Sequence, residues 1–432
     1  MDFNEALNYL YGLGHETLTI KFGLDNINHL TAAIGSPQRK YPSVLIAGTN
    51  GKGSTAAMVD SIGRAAGLTV GLYTSPHLID IEERIRINGE LIGKEDFARL
   101  ATRIREAAEG LVSAGVLETV PTFFEQVTAI AFLYFAERGI RLAVLEVGLG
   151  GRLDATNIVQ PLVAAITPVD FDHQAYLGNT IEQIASEKAA IIKPGTAAVI
   201  APQRKEASAV IMKQCLESSV LPVFAGDWLE IEMDRQGFPN ISYQTEKNSY
   251  RDLKVGLRGR HQAINAVVAI HIAELLQQRG LNISSEAVAA GLSRVEWPGR
   301  LEMIEGAPSL LLDGAHNPAG ARVLREFLDE FWPDEITLVF AAMKDKEIDK
   351  IASILFPRAR NIVLTRFKDR RAASPQQLAA NALRDLNNVI FTESVPQALD
   401  WARSVTPKNG LICVTGSLYL VGETKQWLEQ FY

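Results

Sequence analysis

Ser43-Val44-Leu45-Ile46-Ala47 runs straight into Gly48-Thr49-Asn50-Gly51-Lys52-Gly53-Ser54, and a helical stretch over 55–66 follows at once. A strand that feeds a glycine-rich turn opening a helix leaves backbone N–H groups unpaired and pointing into one hollow, where a phosphate accepts them. The pattern predicts that the chain handles a nucleotide triphosphate, with Thr49, Asn50, Gly51, Lys52, Gly53 and Ser54 around the phosphates. It departs from the G-x-x-x-x-G-K-[ST] loop, because Ile46 stands where the first Gly belongs and Gly53 separates Lys52 from the hydroxyl of Ser54. The competing account is a plain Gly/Asn turn between a strand and a helix, which leaves Lys52 and three glycines at one junction unexplained.

A chain of 432 residues exceeds what one core usually serves, so two domains are expected. The formal charge of −7 argues against a nucleic-acid binder, so an anionic substrate has to be met by local Lys, Arg and helix N-termini. Cys215 and Cys413 lie far apart in apolar contexts, which fits buried thiols in a reducing compartment. Met1-Asp2-Phe3-Asn4-Glu5 carries acids where a signal peptide carries positive charge, and no apolar run approaches a membrane span. A cytoplasmic protein, with no membrane or nucleic-acid partner and working as a monomer, is the expectation.

Short apolar runs alternate with helical patterns, the βα signature of a mostly parallel sheet covered on both faces. Strands are predicted at 69–74, 141–147, 162–167 and 197–201, with helices at 123–136 and 181–192. Residues 228–255 change to short alternating segments with polar turns, a β-rich appendage, and a helix over 263–278 follows. Trp297-Pro298-Gly299 reads as a hinge. Beyond it βα units resume, with strands at 309–312, 336–341, 361–365, 389–391 and 411–415. The expected fold is α/β: a doubly wound P-loop mononucleotide-binding domain with its appendage over 1–297, then a smaller Rossmann-like domain over 298–432.

Open α/β sheets bind ligands at strand ends. The run 141–145 delivers Glu146 ahead of Val147-Gly148-Leu149-Gly150-Gly151. A carboxylate there suits Mg²⁺, since the ion takes hard oxygen ligands and the triphosphate supplies the rest; a solvated Glu before a glycine turn is the alternative. The next run ends in Pro168-Val169-Asp170-Phe171-Asp172-His173, so His173 is a candidate for metal or phosphate, or else a structural loop histidine.

Taken together these segments resemble the folylpolyglutamate synthase and dihydrofolate synthase family, of bacterial bifunctional type, a branch of the Mur ligase superfamily. The resemblance runs through Lys21-Phe22-Gly23-Leu24-Asp25, the Gly48 to Ser54 loop, Thr74-Ser75-Pro76-His77, Thr122-Phe123-Phe124-Glu125 and Leu145 to Asn157. It continues through Asp172-His173, Glu187-Lys188-Ala189, Gly259-Arg260-His261-Gln262-Ala263-Ile264-Asn265, Pro298-Gly299-Arg300 and Asp313-Gly314-Ala315-His316-Asn317-Pro318.

The resemblance implies an ATP-dependent acid–amino-acid ligase that adds L-glutamate to a folate or dihydropteroate carboxylate through an acyl phosphate. It implies Ser75, Glu146 and His173 as Mg²⁺ ligands, in a family that uses two ions, and a Lys188 carbamylated by CO₂. Asn265, Arg300 and Asp313 resemble nucleotide contacts, and His316 a residue near the incoming glutamate. Asp154, with Thr122, Phe123, Phe124 and Glu125, resembles the wall that receives the pterin or the carboxylate. Bland readings stand beside these: a capping hydroxyl for Ser75, a solvated ion pair for Lys188 or Arg300, core packing for Phe123 and Phe124. Asp170 and Phe171 depart from the family's small or aliphatic residues, adding negative charge near an anion site, and Ser54 replaces Thr in some relatives. Another Mur-type ligase with a different carboxylate acceptor is the runner-up. A GTPase would need Asn-Lys-x-Asp, which the chain lacks, and a simple kinase has little use for a second α/β domain.

Overall fold

The computed structural model describes residues 1–14, 23–379 and 388–429; Lys21 and Phe22 lie outside them. An eight-stranded sheet comprises β1 (Ser43–Ala47), β2 (Val70–Tyr73), β3 (Ile85–Ile87), β4 (Glu90–Leu91), β5 (Leu142–Glu146), β6 (Val163–Ile166), β7 (Ala197–Ile200) and β8 (Pro222–Phe224). Their spatial order is β4-β3-β2-β5-β1-β6-β7-β8. All pairings are parallel except those of β3 with β2 and β4. Every residue of β1 and β5 is buried, because helices cover both faces and each strand must be apolar on both sides. Two apolar clusters result, one holding Leu45, Phe132 and Ile184, the other Ile46, Val59 and Val267.

β1 lies between β5 and β6, so the chain leaves it in two directions, and a crevice opens beyond its C-terminal end. The helix Lys52–Ala65 starts there, with Gly51 at its N-cap in the left-handed region (φ 90°). Gly48 (φ 151°) abuts the end of β6, and a Cβ on it would stand 1.8 Å from Thr167 Oγ1. Thr167 N–H donates to Ala47 O at 2.8 Å, so neither strand end is free to retreat. Gly48→Ala is expected to lose about 2–4 kcal/mol of stability from overpacking and backbone strain, read as a lower urea midpoint at unchanged m-value. An unshifted midpoint would show that the strand ends separate easily.

The appendage is an antiparallel sheet of β9 (Leu229–Met233), β10 (Pro239–Gln244) and β11 (Ser249–Lys254). Its buried Ile241, Tyr243, Tyr250 and Leu253 face the helix His261–Gln278. Glu274 of that helix accepts from Thr245 Oγ1 (2.9 Å), Asn248 Nδ2 (2.7 Å) and Tyr250 Oη (3.1 Å), which satisfies a buried carboxylate and fixes the helix.

A six-stranded sheet follows: β12 (Glu302–Ile304), β13 (Ser309–Asp313), β14 (Ile336–Phe340), β15 (Ala359–Leu364), β16 (Val389–Phe391) and β17 (Leu411–Thr415), in the order β12-β13-β17-β14-β15-β16. Only β12 pairs antiparallel, and apolar clusters cover both faces.

The helix predicted over 181–192 is shorter, Ile181–Ala189, because the chain tightens into a turn at Ile191 and Ile192 ahead of Pro194 and Gly195 (φ 80°). Lys188 therefore sits in its last turn. The helix Phe123–Glu137 starts at the predicted residue, capped by a Thr122/Glu125 box. Among the described residues no helix is long and apolar enough to cross a membrane.

Candidate active site

The loop after β1 is bound more tightly to its neighbours than its sequence implies. The N–H groups of Thr49 and Asn50 both donate to Pro168 O, at 3.0 and 3.3 Å. Thr49 Oγ1 donates to Asp170 O (2.9 Å) and accepts from Asp170 N (3.0 Å). Asn50 pairs its side-chain amide with that of Asn317, at 3.0 and 3.4 Å. Thr49 and Asn50, expected among the phosphate donors, instead lace the loop to its surroundings. The donors left for an anion are those of the first helical turn, Lys52, Gly53 and Ser54, where no intrahelical partner exists and the helix dipole adds attraction. Gly51 lets Asn265 approach, since a Cβ there would stand 2.4 Å from Asn265 Oδ1. Asn265 Nδ2 donates to Gln262 Oε1 (2.9 Å), and Gln262 Nε2 donates to Ser54 Oγ (3.3 Å).

Cations and carboxylates crowd around this turn. Lys52 Nζ donates to Gly48 O and Thr49 O, both at 3.2 Å. Lys188, 5% exposed, donates from Nζ to Gly48 O at 2.8 Å. Burial and the neighbouring Lys52 charge bring its ammonium down to about 7, against the pull of Asp172, Asp154 and Glu187. Glu146, at the end of β5, accepts from Ser75 N at 3.2 Å. Burial pushes its carboxyl up, while Lys52, the Ser75 N–H and Arg300 oppose the shift. Arg300 lines one small cavity together with Ser75 and Glu146, and donates to Gly299 O at 3.1 Å.

His173 caps a short helix in the left-handed region (φ 50°). Its Nδ1 is buried without a hydrogen-bond partner, its Nε2 faces Lys346 Nζ at 3.5 Å, and burial brings the ring down to about 3, so it stays neutral with its lone pair on Nε2. A hydroxyl, a carboxylate and a neutral imidazole make a chemically reasonable donor set for Mg²⁺. Among the described residues no three His, Cys, Asp or Glu form a metal cluster of their own; an octahedral Mg²⁺ held by three side chains would take phosphate oxygens and water as its remaining ligands. Ser75, Glu146 and His173 fit an ion that arrives with a nucleotide.

The C-terminal ends of the two large sheets meet across a cavity of about 280 Å³ lined by Ser75, Thr122, Phe124, Asp154, His173 and His316, among others. Asp172 is the hub between the sheets. It takes Lys346 Nζ at 2.6 Å, His316 Nε2 at 3.3 Å and Asn317 Nδ2 at 3.2 Å. Burial pushes its carboxyl up, but His316, His173 and Lys346 outweigh that and hold it well below the usual carboxylate range. Asp313, at the end of β13, is buried and accepts from Leu301 N and Ala315 N, both at 2.9 Å. Burial raises its carboxyl, against the pull of Arg300.

Other expected wall residues separate into two kinds. Phe124 lies against Gly148, where a Cβ would stand 2.6 Å from its ring, and it lines the cavity with Thr122 and Glu125. Phe123 does not reach the cavity: it is 3% exposed and stacks on Tyr11, ring centroids 5.7 Å apart. Helical geometry turns adjacent side chains about 100° apart, so only one of the pair faces the ligand. Asp154 borders the cavity with both oxygens occupied, Oδ1 by Thr156 N (2.9 Å) and Oγ1 (2.5 Å), Oδ2 by Leu149 N (2.9 Å). Those bonds shape the glycine turn; burial pushes the Asp154 carboxyl up, and the bonds from Thr156 and Leu149 oppose that shift.

Asp170, expected to add negative charge near the anion site, is paired with Arg204 (3.2 Å) and Arg322 (3.3 Å), so its charge is compensated. Lys346 escaped the sequence reading. Met343-Lys344-Asp345-Lys346 looks like a solvated charge run, and only the tertiary fold places Lys346 against Asp172.

Comparison with known proteins agrees with this geometry. Residues 46–273 match the Mur ligase middle domain, and 299–418 match the Mur ligase glutamate ligase domain. The dihydrofolate synthase/folylpolyglutamate synthase of Bacillus subtilis is 36% identical, over 99% of each chain. The folylpolyglutamate synthase of Lacticaseibacillus casei is 32% identical, again over 99% of each. The structure of Mycobacterium tuberculosis folylpolyglutamate synthase complexed with ADP superposes with a TM-score of 0.91 at 33% identity, covering 99% of both chains. E. coli FolC in complex with DHPP and ADP gives 0.88 at 28% identity, covering 100% of this chain and 98% of that one.

Proposed function

The chain belongs to the dihydrofolate synthase/folylpolyglutamate synthase family of Mur ligases, and from that premise we propose how its residues join L-glutamate to a folate or pteroate carboxylate with ATP. One observation carries the reading: strand ends of the two large sheets face each other across one cavity, and Ser75 joins it to the smaller cavity where Gly53 of the phosphate loop meets Glu146 and Arg300, the halves being bridged by Asn50 to Asn317 and Asp172 to Lys346. Phosphoryl transfer from ATP to the acceptor carboxylate gives an acyl phosphate, and the glutamate amine displaces phosphate to leave an amide. A carboxylate is a poor acylating agent, so the protein's work is positioning and charge neutralisation.

The N–H groups of Lys52, Gly53 and Ser54 and the Lys52 ammonium hold the phosphates. Asn265 packs against the loop from one side, and Arg300 brings its guanidinium from the other. Asp313 fixes the turn 299–301, and with it Arg300, through the Leu301 N–H. Ser75, Glu146 and His173 would hold Mg²⁺, which neutralises phosphate charge when bound. Lys188 is proposed as a carbamate that helps hold a second ion. Thr122, Phe124 and Glu125 form the acceptor's wall with Asp154 as its brace, and His316 stands on the glutamate side. Residues 1–297 and 298–432 are taken as the two units, and because both halves of the site come from one chain, a monomer suffices. The buried cysteines suit a reducing cytoplasm.

Purified protein with ATP, Mg²⁺ and L-glutamate is expected to release phosphate only when an acceptor is present, with dihydropteroate and tetrahydrofolate offered in turn. Release that ignores glutamate, or no release with either acceptor, would refute the ligase reading.

A further inference from the structure

The glycine between Lys52 and Ser54 has a physical partner. A Cβ on Gly53 would stand 3.0 Å from Trp297 Nε1 and 3.5 Å from Trp297 Cε2, with Glu146 Oε2 also at 3.5 Å. Gly53 lies inside the helix Lys52–Ala65 and carries no positive φ, so its backbone asks nothing of glycine. In a helix Ala would be the better residue. What crowds a side chain there is the indole, which would have to give by a few tenths of an ångström.

Trp297 is held from outside as well. The Arg86 guanidinium stacks over its ring at 5.3 Å, and Arg86 Nε donates to Glu83 O at 3.2 Å. Glu83 accepts from the N–H groups of Leu78, Ile79 and Asp80 at 2.8 to 2.9 Å. Leu78 in turn packs against the second half: a Cβ on Gly422 would stand 2.0 Å from Leu78 O, and one on Gly299 3.4 Å from Leu78 Cδ2. Trp297 thus lies between the phosphate loop and a braced loop that touches the C-terminal sheet's helices. It precedes Arg300 by three residues and borders the same small cavity of about 40 Å³ as Gly53, Glu146 and Arg300.

We propose that Trp297 is a positioning residue that sets Arg300 against the phosphate loop, and that position 53 is glycine because the indole takes the place of its side chain. This rests on the reading of the loop as the ATP site. It goes beyond that reading in assigning the hinge tryptophan a part in the reaction, and in giving the Lys-Gly-Ser spacing a cause. An indole pushed aside by a few tenths of an ångström moves the hinge, and Arg300 with it, at a distance where such shifts lower rate more than affinity.

The test compares wild type, Gly53→Ala, Trp297→Phe and the double variant for kcat and KM of ATP, with urea unfolding of each. Gly53→Ala is expected to lose about tenfold or more in kcat with little change in KM, although Ala favours the helix. Trp297→Phe, which removes Nε1 and shortens the ring, should lose about threefold in kcat with KM of ATP unchanged, because Arg300 is set less firmly, and the double variant should return to that level; wild-type kcat in Trp297→Phe would overturn the positioning role. A double variant no faster than Gly53→Ala would overturn the proposal, because the new methyl would then be meeting the nucleotide and not the indole. A fully active Gly53→Ala would overturn it too. Wild type that fails to ligate glutamate would refute the functional reading alone; the unfolding data would still report the contact, with strictly additive effects of the two substitutions counting against it.

Discussion

Lys52→Ala is expected to lower kcat for glutamate ligation by at least ~10²–10³-fold, the scale seen when one pre-placed donor to a developing charge is removed. The ammonium sits where three functional groups feel it: its charge acts on Glu146, His173 and Lys188 alike. Among the described residues its hydrogen bonds go to Gly48 O and Thr49 O, at 3.2 Å each. Those are the loop's own carbonyls, so truncation removes little that holds the fold together. The unfolding midpoint should stay near wild type while turnover collapses. The two readouts separate the roles: a large drop in midpoint would make Lys52 a structural brace, and near-normal turnover would remove the basis of the nucleotide reading. Lys52→Arg should not restore full rate, because a planar fork cannot replace a compact point charge in a hollow shaped by glycine.

The strand ends were legible in the sequence because buried parallel strands are continuous apolar runs, and two of them stop at an acid proposed for the site: Glu146 at the end of β5, Asp313 at the end of β13. Several elements outside the ligand path went unread. The hairpin of β3 and β4 turns at Asn88-Gly89, both in the left-handed region (φ 53° and 87°), a short signal of the Asn-Gly kind. The helix Lys94–Ser113 and the capped helix Phe3–Gly12 are amphipathic but carry no chemistry-bearing residue that drew attention.

Within the site, sequence pattern identified residue types at strand ends but not where their hydrogen bonds go. Thr49 and Asn50 look like phosphate donors in any strand–glycine–helix junction, and only the position of Pro168, more than a hundred residues away, shows that their N–H groups are engaged. Asp172 and Lys346 are 174 residues apart, and nothing local in either segment encodes their pairing. Phe123 and Phe124 are chemically identical, and the helix start decides which faces the cavity.

Lys188→Ala is expected to be nearly inactive, with partial recovery in acetate or formate. The side chain lies inward on the helix Ile181–Ala189, on the face shared with Ile181, Ile184 and Ala185, and only 5% of it is exposed. Burying an ammonium beside the Lys52 charge is costly, so the environment favours the neutral amine; the ammonium comes down to about 7, and above that pH much of the group is deprotonated. A neutral amine reacts with CO₂, forming an N–C bond and releasing one proton, which converts a cation beside Gly48 O into an anion. That change inverts the local electrostatics: the amine's charged form is disfavoured by neighbouring Lys52, whereas a carbamate beside Lys52 is stabilised by it. The sign of the pH effect follows. Activity should fall as pH drops below about 7, where protonation of the amine competes with CO₂, and in wild type added bicarbonate should offset the fall. In Lys188→Ala the vacated space admits a short carboxylate, so formate should raise turnover while bicarbonate should not. A ¹³C signal from labelled CO₂ in wild type but not in Lys188→Ala would identify the modified nitrogen. Full activity in CO₂-depleted buffer would show instead that Lys188 works as an unmodified amine.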